Sequence, residues 1–269
     1  MTYPIIGIIA VTTPGAAICA QQLVEASSNL GLGSHHPEYL IHARPTQEYI
    51  DAVNSQDWDA VSILVLDSVK KLSSLGARLF IMPSNTPHYA WALIQEKINV
   101  LNLTLDQPIK FLNLSSVTID ECLKKNYNSV LLLGTRQIML GDLYKKEFAF
   151  NGVECYVPTE QNVSFIDNYI KSQLVKNEID PQKNQQLNSI IHSMYLLNKF
   201  DAIILGCTEL PMILKGTFSS EGNFIPLIDT TFILAESVIK TAINNNYYSD
   251  EKKLWNAMYK NKTASLALE

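Results

Sequence analysis

The sequence predicts an α/β protein of two similar lobes, each a mainly parallel sheet flanked by helices, related by approximate two-fold symmetry with a site in the cleft between them. Two observations carry this. Apolar β-like runs alternate with helix-like runs along most of the 269 residues, the pattern of parallel sheets covered on both faces. Two of those runs, in different halves of the chain, end in closely similar segments. Met82-Pro83-Ser84-Asn85-Thr86-Pro87-His88 comes after the run Leu79–Met82, and Leu205-Gly206-Cys207-Thr208-Glu209-Leu210-Pro211 after Ala202–Leu205. Each presents a small hydroxyl- or thiol-bearing residue, a Thr with helix-capping chemistry, and a Pro near the next helix. Ligands of open α/β sheets bind outside the carboxyl ends of the strands, so two copies of one device imply two lobes facing each other.

Ile5–Val11 reads as a buried first strand; no basic residue precedes it and Pro14-Gly15 comes at once after it, whereas a signal peptide needs a positive leading segment. Helical periodicity runs from about Ala16 to Leu30. Tyr39–His42 is the next strand-like run, succeeded by helices over Thr46–Val53 and Asp57–Leu75. Leu79–Met82 leads into a helix from Pro87, and Val100–Asn102 is a further short apolar run. Val130–Leu133 ends at Gly134-Thr135, with a helix from near Ile138. Val153–Val157 stops at Pro158, a helix-like stretch spans about Gln182 to Lys199, and Ala202–Leu205 ends at Gly206. The run Ile225–Thr230 and the helix after it are expected to return to the first lobe. That gives residues 1–101 plus 211–269 as the first lobe and 102–210 as the second. The Asn/Tyr/Asp-rich stretch Asn244–Asp250 reads as a loop before a terminal amphipathic helix.

Composition narrows the function. With 47% hydrophobic and 17% charged residues, the chain suits a soluble globular protein. A net charge of −5 gives no reason to propose nucleic acid or an anionic membrane as partner, and no apolar stretch is long enough to cross a bilayer. The four cysteines show no CxxC spacing and no clustering with histidine, so neither a metal site nor a disulfide framework is indicated. Reduced thiols in a cytoplasmic protein are the simplest account. No P-loop or GxGxxG fingerprint appears, so no cofactor is expected.

Ser84, Thr135 and Cys207 all lie at predicted strand ends. Cys19, Cys122 and Cys155 fall within two helical faces and a strand, and read as structural thiols. Cys207 differs: it comes after Gly206 at a strand end and precedes a helix start, where a thiol is expected to have a lowered pKa. Such a thiolate can take a proton or attack carbon. A serine hydroxyl needs a neighbouring base to do the same; His88 is in reach by sequence, though Ser84 reads equally well as a turn residue beside the Thr86-Pro87 helix start. Asn85, Thr86 and Thr208, with the adjacent backbone N–H groups at two helix N-termini, suit a carboxylate. Arg44 and Arg136 lie just past strand ends and are candidates for a second one.

These motifs taken together resemble a known family. Asn85-Thr86-x-His88, the segment Gly206–Pro211, Gly134-Thr135-Arg136 with Met139, Asp142 and Tyr144, and Pro226–Thr231 are similar to the cofactor-independent aspartate/glutamate racemase superfamily, in particular its broad-specificity and L-aspartate/glutamate-specific branch. The resemblance runs from the first strand to about residue 240. It implies a two-lobed α/β fold, no pyridoxal phosphate, and a homodimer acting on a small amino acid. It also implies two opposed bases, one per lobe, which fall on Ser84 and Cys207, and substrate-carboxylate positions at Asn85, Thr86 and Thr208. Two departures stand out. The first-lobe base is typically Cys, where this chain has Ser84; some members carry Thr there. The glycine-rich loop usual after the first strand is here Ala10–Gly15, with Thr12 and Thr13 as hydrogen-bond donors. Side-chain specificity would rest on residues such as Arg44 and Lys171.

The chemistry asks for this layout. Without a cofactor, the carbanion formed at Cα must be stabilised by donors aimed at the carboxylate in a closed cleft, and inversion needs a base and an acid on opposite faces. Three readings compete: a racemase of a small, acidic amino acid; a single-cysteine decarboxylase or isomerase on the same scaffold; or an amino-acid-binding protein with impaired catalysis.

Overall fold

Strand β1 (Ile5–Ala10) is buried almost throughout, as a parallel strand covered on both faces must be, and this accounts for its unbroken apolar sequence. The computed structural model describes residues 3–244. Within them β1 sits between β2 (Tyr39–Ala43) and β3 (Ala77–Ile81), and β4 (Lys110–Phe111) completes a four-stranded parallel sheet of order β2-β1-β3-β4. Gly7 permits the close packing of this sheet: a Cβ there would lie 2.6 Å from the Phe80 ring.

Helix α1 (Thr13–Asn29) starts at a Thr12 cap, whose hydroxyl accepts from Gly15 N at 3.2 Å. Its buried face, Ala16, Cys19, Leu23 and Ala26, has helical spacing. Helices α2 (Thr46–Asn54) and α3 (Trp58–Ser74) precede β3. After β3 come a 3-10 turn, Thr86–Ala90, and α4 (Trp91–Asn102).

The second sheet begins after α5 (Leu114–Lys124). It comprises β5 (Ser129–Gly134), β6 (Glu154–Tyr156), β7 (Ala202–Gly206), β8 (Thr217–Ser220) and β9 (Asn223–Asp229), in the order β6-β5-β7-β9-β8. All pairs are parallel except the β8–β9 hairpin. Helices α6 (Arg136–Leu140), α7 (Asp142–Phe150), α8 (Glu160–Ser172) and α9 (Pro181–Asn198) lie between its strands, and α10 (Thr230–Ile243) comes directly after β9. The predicted two-sheet α/β architecture is therefore present.

Three apolar cores arrange the layers. One lies outside the first sheet, around Ile9, Val65, Phe80 and Ile94. A second lies outside the second sheet, around Leu133, Ile166, Ile191 and Leu205. The third is shared: Ile6, Ile8 and Ile81 of one sheet, Val130, Leu132 and Ile204 of the other, and Leu23, Leu234 and Val238 of α1 and α10 form one buried cluster. This shared layer keeps the carboxyl ends of the two sheets near each other.

Several expectations need correction. Val100–Asn102 is not a separate apolar run but the last turn of α4, whose buried positions are Ile94, Ile98 and Asn102; Val100 faces solvent. The strand beside β3 is the two-residue β4 instead. The strand within Ile225–Thr230 does not return to the first lobe. It extends the second sheet, with Ile203 opposite Leu227 and Ile204 opposite Ile228, because the β8–β9 hairpin holds it beside β7. Only the helix after it, α10, reaches across, packing on α1, α5 and β3. The first sheet thus runs to Phe111, and the segments after 211 contribute strands to the second. The loop and terminal helix expected beyond 244 lie outside the described residues. No helix among the described residues is long and apolar enough to cross a membrane.

Candidate active site

Four strands deliver their carboxyl ends to one small cavity of about 160 Å³. Thr12 arrives from β1, Ser84, Asn85 and Thr86 from β3, Thr135 from β5, and Cys207 and Thr208 from β7; Lys171 reaches it from α8. Eight of the residues singled out from the sequence line it. The volume lies below the roughly 300–1,000 Å³ of pockets that take drug-sized ligands, which limits an occupant to a small metabolite. Gly206 lies in the wall and packs too closely behind it for any side chain: a Cβ there would fall 2.9 Å from the Leu133 carbonyl oxygen and 2.9 Å from Ile138.

Two expected residues lie elsewhere. Thr13 is exposed in the first turn of α1 and does not line the cavity. The Arg44 guanidinium is bound to Glu48, at 2.6 Å, and to Asp67, and it too is absent from the cavity wall. Arg136, the other candidate for a second carboxylate, pairs with Glu160 at 2.5 Å and bonds Ser164. Both arginines are held by acidic side chains of their own lobes, which the sequence alone does not reveal.

Cys207 departs most from expectation. Its thiol donates to Glu209 Oε2 at 2.9 Å, and Glu209 is itself buried. Burial first, then the Glu209 carboxylate, hold the thiol pKa well above its ordinary value, with Asp167 adding to the effect. The anticipated lowering by a helix N-terminus is overturned. The element after Cys207 is a three-residue 3-10 turn, Leu210–Met212, too short to supply a dipole that competes with desolvation. Thr208 does not cap that turn, since the cap position is Glu209 and no side chain bonds there.

The first-lobe motif is likewise a 3-10 turn, with Asn85 rather than Thr86 in the cap position and no side-chain cap. The Ser84 backbone N–H donates to the Met82 carbonyl at 2.8 Å. His88 is fully buried and its Nε2 bonds the same carbonyl at 3.1 Å. A carbonyl only accepts, so Nε2 carries the hydrogen, and Nδ1 finds no partner among the described residues. Burial lowers the His88 pKa to about 4. The ring is neutral and committed to Met82, so it is no base for Ser84.

The cavity wall also holds further polar groups. Thr135 Oγ1 is buried without a hydrogen-bond partner among the described residues. Lys171 stands at the rim, its ammonium 2.9 Å from Asp167 Oδ2, while Asp167 Oδ1 accepts the Arg136 backbone N–H at 2.8 Å. Asn85 is held from two sides: its Nδ2 donates to Thr230 Oγ1 at 3.2 Å and its Oδ1 accepts from Tyr144 at 2.5 Å. The sequence pattern did not single out Glu209, Ile170 and Val175 as wall residues. Glu209 lies within a motif already recognised; the other two sit on the buried side of α8 and just after it, with no chemical signal of their own. Among the described residues no cluster of three or more His, Cys, Asp or Glu side chains could hold a metal ion.

Fold and site together define a two-lobed α/β protein with a thiol and a hydroxyl presented from different lobes to one small polar cavity. The chain belongs to the Asp/Glu/hydantoin racemase family, whose model matches residues 6–238. Among solved structures it is similar to an aspartate racemase homologue from Pyrococcus horikoshii, with 25% identity, a TM-score of 0.73, and 88% of this chain and 98% of that one covered. It is also similar to the aspartate racemase of Picrophilus torridus, with 22% identity, a TM-score of 0.66, and coverage of 89% and 94%. A glutamate racemase isoform from Bacillus anthracis shares the fold at 15% identity and a TM-score of 0.58, with 92% and 85% covered.

Proposed function

We propose that this protein is a cofactor-independent racemase of a small acidic amino acid, aspartate or glutamate, acting by two-base proton transfer at Cα. The observation that carries the reading is a cavity of about 160 Å³ bordered by Ser84 from one lobe and by the Cys207–Glu209 pair from the other. Family membership supports a racemase-type activity.

On this reading the substrate carboxylate takes hydrogen bonds from Asn85, Thr86 and Thr208, with Thr12 and Thr135 as further donors. The Lys171 ammonium at the rim, paired with Asp167 at 2.9 Å, would take a second carboxylate of the substrate by exchanging that partner. Cys207 rests as a thiol, so the first step is transfer of its proton to Glu209 as the substrate enters and excludes water. The thiolate then removes the α-proton of the L-enantiomer. The electron pair left at Cα spreads into the carboxylate, where preorganised donors stabilise it; each such donor is worth roughly 10²–10³ in rate. Ser84 donates its proton to the opposite face; when the product leaves and water returns, the Ser84 alkoxide takes up a proton from solvent and the Glu209 carboxyl releases one to it, which restores the resting state. The D-enantiomer requires the same steps in reverse, with the Ser84 oxygen as base. The protein would work as a cytoplasmic homodimer with no cofactor.

The test is incubation with L- and D-aspartate and with L- and D-glutamate in D2O, following α-deuteration by NMR and configuration by chiral chromatography. Deuteration with inversion is the expected result. Deuteration without inversion would instead indicate a one-sided enzyme, and binding without deuteration an amino-acid-binding protein.

A further inference from the structure

Four buried groups form one hydrogen-bonded chain between the loops that carry Ser84 and Cys207. Tyr144 on α7 bonds Asn85 Oδ1, Asn85 Nδ2 bonds Thr230 Oγ1 at 3.2 Å, and Thr230 Oγ1 bonds the Leu205 carbonyl at 3.0 Å. Tyr144 and Thr230 have no solvent exposure, and Asn85 is buried as well. Its second member, Asn85, is the residue after Ser84, and its last, Leu205, is two residues before Cys207.

The direction of every bond in the chain is fixed by its last member. A carbonyl can only accept, so the single Thr230 hydroxyl proton is committed to Leu205. Thr230 Oγ1 must then accept from Asn85, which forces the amide nitrogen toward Thr230. The amide oxygen therefore faces Tyr144, and Tyr144 must donate. Burial keeps the Tyr144 phenol protonated, with its pKa far above the ordinary value. One Nδ2 hydrogen remains uncommitted among the described residues, on a side chain that lines the cavity.

We propose that Tyr144 and Thr230 are positioning residues that lock the Asn85 amide in the orientation presenting an N–H, never a carbonyl oxygen, to an anionic group in the cavity. The inference rests on the reading of this cavity as a carboxylate site. Without the Thr230 acceptor the amide is free to rotate by half a turn, and its oxygen would then oppose the ligand's charge; without the Tyr144 donor that oxygen is left buried and unpaired, which weakens the same lock.

Malonate, a simple dicarboxylate, serves as the probe, with its affinity measured by titration calorimetry. Thr230→Val keeps the shape and removes the hydroxyl; Thr230→Ser keeps the hydroxyl and loses a buried methyl. Tyr144→Phe breaks the other end. Thr230→Ser should bind malonate within about threefold of the parent, while Thr230→Val and Tyr144→Phe weaken it about tenfold or more, the scale of one hydrogen bond to a charged group. A packing role gives the opposite order, with Val the milder change, and thermal midpoints of the same variants read that order directly. Val binding as well as Ser would overturn the proposal. L-aspartate exchange measured alongside keeps the two readings apart: malonate binding in the expected order without exchange leaves the relay standing and removes the racemase. Exchange with no such order does the reverse, and a parent that binds neither malonate nor L-aspartate overturns both.

Discussion

His88 supplies a prediction whose size is set by its surroundings. The folded protein holds the ring neutral down to about pH 4, whereas an unfolded chain protonates histidine near its ordinary value of 6.5. Between those values acid favours the unfolded chain, because it binds the proton that the buried ring refuses. Stability is intact above about pH 6.5, declines as the pH falls below it, and stops declining below about pH 4. Each pKa unit corresponds to about 1.4 kcal/mol, so the whole window is about 3 kcal/mol, and about 2 kcal/mol is lost between pH 7 and pH 4.5. Asp229 works in the other direction: burial raises its carboxyl pKa, so the folded protein takes up that proton first on acidification. A comparison of two proteins cancels Asp229.

The comparison is with His88→Gln, which retains an N–H donor for the Met82 carbonyl and cannot titrate. Urea unfolding is monitored by tryptophan fluorescence, since the Trp91 ring lies 5.7 Å from His88. The parent should lose about 2 kcal/mol more than the variant between pH 7 and pH 4.5. Parallel losses would refute the argument. They would mean that the ring is already charged or solvated in the native state, and would restore it as a candidate base for Ser84. The same logic makes the pH profile of activity independent of His88, so the variant should retain its shape.

Three further outcomes concern the cavity. Cys207→Ser should lower α-proton exchange by about 10³-fold or more, the scale of a lost general base, with an unchanged fold by circular dichroism; turnover near that of the parent removes the thiolate from the mechanism. Glu209→Gln should move two readouts in opposite directions: alkylation of Cys207 by iodoacetamide at pH 8 speeds up about tenfold as the carboxylate that raises the thiol pKa is removed, while exchange slows about tenfold or more for want of a proton acceptor. If both fall together, Glu209 is structural. Ser84→Cys should speed exchange from the D-enantiomer by about tenfold or more and leave the L-enantiomer nearly unchanged; equal rates from both sides in the parent, unmoved by the substitution, would make Ser84 a turn residue.

The parts of this molecule that are legible in its sequence are those fixed by local rules. β1, β5 and β7 announce themselves as continuous apolar runs because each is covered on both faces. Helix α8 does not, since only Val163, Ile166, Tyr169 and Ile170 are buried in a stretch otherwise rich in polar residues. The two-residue β4 carries too little pattern to be read at all. The placement of β9 depends on the β8–β9 hairpin pairing, a choice between two sheets that both offered a partner. At the site, the residue types at the strand ends are readable. Their partners are not: the Asn85 bonds reach residues 59 and 145 positions away, and the Arg44 bond to Asp67 joins the segment after β2 to the middle of α3.

The sign of the Cys207 pKa shift shows why motif reading has a limit. Strand end, glycine and helix start all favour a thiolate when taken singly, yet the structure adds a short turn, burial and a carboxylate 2.9 Å away. Desolvation acts on the whole charge, whereas the dipole of a three-residue turn offers a small fraction of one. A resting thiol beside Glu209 is consistent with the two-base reading, because a base that stays protonated until substrate enters is alkylated and oxidised more slowly than a free thiolate while it waits. It also sharpens the contrast with Ser84. The second-lobe thiol has a carboxylate to receive its proton, while the imidazole nearest to Ser84 in sequence, His88, is bound to Met82. A hydroxyl so placed can give a proton to a carbanion far more readily than it can take one from carbon. The equilibrium between free enantiomers stays at unity whatever the residue, so the asymmetry has to appear in the separate exchange rates from the L- and D-sides. That difference, rather than the position of equilibrium, is the kinetic signature this cavity should carry.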